Sequence, residues 1–133
     1  LDSGFRTNPT LERLGQEFLV EFLERARRRQ PRNAEVLAEL GCTYTKLGRY
    51  SEGLAVDEAL VGLAPDNATA HYNFACSLAL CGQLSRALDE LEKAVELGYD
   101  DAEHLTHDED LRVLRTEPRF DALVRRLKSP GVD

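Results

Sequence analysis

AEVLAELGCTYTKLGRYSEGLAVDEALVGLAPDN, residues 34–67, is the stretch whose reading decides the fold. Set above residues 68–101, ATAHYNFACSLALCGQLSRALDELEKAVELGYDD, it aligns without a gap at an offset of 34. Identities fall at Ala34/Ala68, Cys42/Cys76, Gly48/Gly82, Ser51/Ser85, Leu54/Leu88, Glu58/Glu92, Val61/Val95, Leu63/Leu97 and Asp66/Asp100. Chance would supply roughly two or three in such a composition, so the chain contains an internal repeat. Leu40/Phe74, Gly41/Ala75 and Gly53/Ala87 match in size or character.

Each unit reads as helix, turn, helix. Asn33 and Asn67 are placed to cap the first helices, because a side-chain carbonyl there can accept an otherwise unpaired backbone N–H. Leu37, Leu40, Tyr44 and Leu47 recur at helical spacing. Gly48 follows as the left-handed residue that ends a helix. Ser51 reads as the cap of the second helix. Leu54, Leu60 and Leu63 are that helix's apolar stripe, and Pro65-Asp66 stop it. The second unit repeats the pattern with Phe74, Leu78, Gly82, Ser85, Leu88, Leu91, Ala94 and Leu97.

On these residues the sequence resembles the tetratricopeptide repeat (TPR) family. Leu40-Gly41, Tyr44, Gly48, Tyr50, Gly53 and Pro65 fall where the family keeps Leu-Gly, Tyr, Gly, Tyr, a small residue and Pro. Phe74-Ala75, Gly82, Ala87 and Ala94 do so in the second unit. Departures are Leu37 and His71 at the early Trp position, Leu60 at the late Ala and Tyr99 at the closing Pro. The resemblance implies an all-α fold, a right-handed α-solenoid of helix-turn-helix repeats. Small residues at 41, 75, 53 and 87 then let paired helices approach closely.

Two units leave apolar end faces that need covering. Residues 10–30 read as one long helix after the start signal Asn8-Pro9-Thr10. Its stripe is Leu11, Leu14, Phe18, Leu19, Phe22 and Leu23. Counting back 34 from Leu54 and Pro65 gives Val20 and Pro31, so its second half takes the second-helix slot of a degenerate repeat. Asp108 through Arg115 reads as a short helix with acids at its positive end. Pro118 opens a last helix with stripe Phe120, Leu123, Val124 and Leu127. The block from Asp108 to Leu123 resembles the closing segment of bacterial TPR proteins. The expected organisation is one domain over 1–133: an N-terminal capping helix or half repeat at 9–31, units at 34–67 and 68–101, and C-terminal capping helices at 102–129.

Apolar residues make up 42% of the chain and charged residues 31%, a balance that suits a folded helical protein. No apolar run is long enough for a membrane-spanning helix, and no signal-peptide pattern is visible. The start at Leu1 rather than Met reads as a fragment. Cys42, Cys76 and Cys81, odd in number and irregular in spacing, read as reduced thiols of a cytoplasmic protein. Net charge is −7. It is unevenly spread, basic up to residue 32, strongly acidic over 33–110, and basic again from 111. An acidic middle repels phosphate, so nucleic acid is not an expected partner. Basic partners suit it better.

The resemblance implies that first helices line a concave face. Glu35, Ala38, Glu39, Cys42 and Thr45 would present it in unit one. Thr69, Tyr72, Asn73, Cys76 and Ala79 would do so in unit two, with Glu103 and Thr106 extending it. Tyr72, read as an exposed ring, and Asn73 are the strongest contact candidates. One TPR subclass clamps chaperone C-terminal carboxylates with Lys, Asn and Arg. Only Asn73 matches that set here, so an anionic tail is not expected.

Other motifs carry bland readings. Cys42 and Cys76 sit at equivalent positions, but adjacent helices stand about 8–10 Å apart, wide for a disulfide. His104, His107 and Asp108 lack a fourth ligand, and capping accounts for them. Arg25, Arg27, Arg28, Arg29 and Arg32 suit a helix C-terminus. Asn67-Ala68-Thr69 is a glycosylation pattern at a helix cap. No phosphate loop, nucleophile elbow or paired Cys/His set is present. The expectation is a scaffold that binds a protein or peptide, with no catalysis, cofactor, metal or membrane partner. Two alternatives stay open. One is a homo-oligomer assembled through oppositely charged ends and middle. The other is a regulatory or accessory domain of a larger protein or enzyme complex.

Overall fold

The computed structural model describes residues 8–129. These form seven α-helices and one 3-10 helix, with no strand among the described residues. The order is α1 (Pro9–Arg29), α2 (Ala34–Lys46), α3 (Tyr50–Leu63), α4 (Ala68–Leu80), α5 (Leu84–Glu96), α6 (Ala102–His107), the 3-10 helix (Glu109–Leu114) and α7 (Pro118–Lys128).

Local chemistry sets the boundaries. Asn8 Oδ1 accepts the Thr10 N–H at 2.8 Å, and Asn33 Oδ1 accepts those of Glu35 and Val36 at 3.0 and 3.2 Å. Asn67 Oδ1 accepts the Ala70 N–H at 3.1 Å. Gly48, Gly82 and Gly98 end α2, α4 and α5 with φ of 76°, 79° and 112°, where a Cβ would be strained. The residue after each glycine donates its N–H back to the helix: Arg49 to Tyr44, Gln83 to Leu78 and Tyr99 to Ala94, each at 2.9 Å. Ser51 and Ser85 are not caps. Their helices start one residue earlier, behind Arg49 and Gln83, neither of which makes a side-chain capping bond.

Consecutive helices pack in order: α1 on α2, α2 on α3, α3 on α4 and α4 on α5. This is the TPR-type helical solenoid. The 3-10 helix then folds back onto α4 and α5, and α7 packs on α5 and α6. The core falls into two adjoining clusters. One holds Val20, Leu23, Leu37, Leu40, Tyr44, Val56 and Leu60. The other joins Phe74, Leu78, Leu88 and Leu91 to Leu105, Leu111, Leu114, Phe120 and Leu123 of the C-terminal segment.

The stripe expected on the first helix is corrected. Val20 and Leu23 are buried against the rest of the chain. Leu11, Leu14, Phe18, Leu19 and Phe22 are exposed. They lie on the other side of α1, because the described chain places a helix on only one of its two apolar sides.

Candidate functional site

The site begins with a close approach. A Cβ on Gly41 of α2 would collide with the Asp57 carboxylate of α3. Glycine at 41 therefore makes room for a charged group inside the helical pair. Asp57 is only 4% exposed, and its carboxylate accepts the Ser77 hydroxyl of α4. Burial pushes its pKa up to about 6 and outweighs the opposing pull of that hydrogen bond.

Asp57 is one wall of a concave cavity of about 210 Å³. From α2 come Gly41, Cys42, Thr45 and Lys46. From α4 come Tyr72, Asn73, Cys76 and Ser77, and the C-terminal segment adds His104, Asp108 and Asp110. Thr45 Oγ1 donates to the Gly41 carbonyl at 3.1 Å. Lys46 is the single cation in the lining, against three carboxyl groups.

The far wall is held by Asp108. Its Oδ1 accepts the Asp110 N–H at 3.0 Å and so starts the 3-10 helix. Its Oδ2 accepts the Tyr72 hydroxyl at 2.6 Å and faces the Cys76 thiol at 3.7 Å and His104 Nε2 at 3.4 Å. The Tyr72 ring stacks on Tyr99, centroids 4.5 Å apart and planes 11° apart. Burial, with the Asp108 and Asp110 charges behind it, raises the Cys76 thiol well above its usual range. Burial and then Asp108 raise Asp110 as well. The thiol and these two carboxylates have donor atoms within 4.8 Å of one another, so they could share a metal ion. The two carboxylates could also accept hydrogen bonds from a protonated amine or guanidinium.

The expected concave residues divide in two. Glu35, Glu39, Cys42 and Thr69 are exposed, and Ala38, Thr45 and Asn73 are half-buried. Tyr72, Cys76 and Ala79 are buried, which corrects the reading of Tyr72 as an open ring. The cause is long-range. The segment after α5 folds back over α4 and takes the Tyr72 hydroxyl with Asp108, 36 residues away. Cys42, Thr45, Tyr72, Asn73 and Cys76 do meet at one cavity; Glu35, Ala38, Glu39, Thr69 and Ala79 are not in its lining. His104 and His107 diverge, since His107 Nδ1 lies 2.9 Å from the Glu103 carbonyl within its own helix.

Sequence reasoning missed Asp57. A signal existed, because at offset 34 it aligns with Leu91, a core residue. A charge at a position that the other copy keeps apolar marks a buried polar site.

A family model described as tetratricopeptide repeat matches residues 34–67, the α2–α3 pair that carries Gly41 and Asp57. The chain contains a tetratricopeptide repeat. No curated protein matches it. A tetratricopeptide repeat suggests a protein–protein interaction module. No helix among the described residues is long and apolar enough to cross a membrane.

Proposed function

We propose that this TPR protein binds a segment of another protein across α2 and α4, with a lysine or arginine side chain of that segment entering the acidic cavity. The observation that carries the reading is the convergence of Asp57, Asp108 and Asp110 on one concave opening. Burial raises the pKa of Asp57 and Asp110, so an incoming cation would relieve an existing electrostatic penalty. Cys42, Thr45 and Asn73 at the mouth would contact the segment's backbone and flanking side chains. Glu35, Glu39 and Thr69 extend an uncharged-to-acidic track on the same helices. The surrounding acidic surface favours encounter with a basic chain.

The test is binding of a fluorescent peptide panel in which basic, neutral and acidic side chains occupy one central position. Basic peptides should bind best, and added salt should weaken them. Asp110→Asn should raise their dissociation constant by about tenfold, the loss of a partly screened charge pair. Equal binding across the panel, or no change with Asp110→Asn, would reject the cavity as the cation site.

A further inference from the structure

The exposed side of α1 is apolar along most of its length. Leu11, Leu14, Phe18 and Phe22 are 66%, 55%, 73% and 65% exposed, and Leu19 borders them at 37%. Together they present on the order of 600 Å², at the upper limit of the apolar patches found on ordinary monomers. Gly15 sits within this face. Glycine inside a helix costs about 1 kcal/mol relative to alanine. Nothing lies within 4 Å of a Cβ built there, so packing within the described residues does not account for it.

We propose that this face binds a second copy of the chain, α1 against α1, antiparallel about a two-fold axis near Phe18 and Leu19. In that register Gly15 lies opposite the second copy's Phe22, and the missing side chain becomes the space for a ring. Leu11 lies opposite the second copy's Ala26. There Phe22, Arg25, Ala26, Arg29 and Gln30 line a shallow depression of about 300 Å³.

Charge selects the antiparallel arrangement. Arg27, Arg28 and Arg29 occupy the last turn of α1, and Glu12 the first. Antiparallel pairing separates the two arginine ends and brings each Arg29 within reach of the second copy's Glu12. Parallel pairing would set arginine against arginine. Two such faces would together remove about 1,200 Å² from water, the lower bound for a stable specific interface. An isologous contact of this kind closes at two copies.

Sedimentation velocity of the full chain tests the proposal. Wild type should be a dimer. Phe18→Glu and Gly15→Gln should each raise the dimer dissociation constant by at least about a hundredfold, with far-ultraviolet circular dichroism unchanged. Gly15→Gln is the sharper variant, since glutamine favours helix over glycine and its side chain has open space in the monomer.

Orientation is read by disulfide trapping, with the exposed Cys42 replaced by Ser. A mixture of Leu11→Cys and Ala26→Cys chains should give the mixed pair in preference to either like pair. A wild type that stays monomeric at every concentration, or a dimer indifferent to both substitutions, would overturn the interface. A dominant Leu11→Cys homodisulfide would overturn the antiparallel arrangement.

Discussion

Asp57 enters the helical pair at the expense of its own ionisation. Its folded pKa of about 6 lies above the ordinary value of 3.8. The native state therefore holds a proton that the unfolded chain has released. The sign follows directly: stability is greatest below about pH 4 and falls as pH rises to about 6, by roughly 3 kcal/mol at most for this one group. Asp57→Asn keeps an acceptor for Ser77 and removes the proton. We expect urea denaturation of this variant to lose that segment of pH dependence, with a difference from wild type that grows toward neutral pH. An unchanged slope between pH 4 and 6 (the window set by the pKa shift) would show that Asp57 is better solvated than its burial implies.

At the scale of elements, the two helical pairs share one close contact. In the first, a Cβ on Gly53 would stand 3.2 Å from Thr45 Oγ1 and 3.4 Å from the Gly41 carbonyl oxygen. In the second, the equivalent Ala87 is fully buried. Ala87→Leu should overpack the α4–α5 contact and destabilise the protein by about 1–3 kcal/mol, read as a lower urea midpoint at unchanged slope. A midpoint equal to wild type would mean that the pair can open without penalty.

Much at this scale was legible in the sequence. Gly48, Gly82, Asn33 and Asn67 act within a turn of where they stand, and their chemistry allows few alternatives. The α1 stripe was legible as a stripe but not as a surface. Periodicity shows that a helix has an apolar side, whereas what lies against it is a tertiary fact. Ser51 falls inside the helix because Tyr50 enters it first, behind Arg49, whose side chain pairs with Glu52 at 2.6 Å.

Across the whole molecule, the C-terminal segment both completes the core and reshapes the candidate site. It supplies Leu105, Leu111, Leu114, Phe120 and Leu123 to the second cluster. Arg119 ties α7 to α5 through Asp89 and Glu92 at 2.6 and 2.9 Å, so part of the C-terminal positive charge is already paired within the chain. Tyr72 was misjudged from sequence because its environment is set by a partner 36 residues away. Tyr72→Phe removes one hydrogen bond to a carboxylate, which should destabilise the protein by about 1.5–3 kcal/mol. Amide exchange should quicken across 102–114 before it does in α2 and α3. Uniform acceleration throughout would show that the segment is not a separable unit.

The two ends of the stack are unlike in character. At one end α7 and the 3-10 helix seal the last pair beneath Phe120 and Leu123, while at the other α1 keeps its phenylalanines turned outward. Were α1 to pair as proposed, that contact would use one end of the described stack alone, and copies joined through it could not be threaded head-to-tail into a filament.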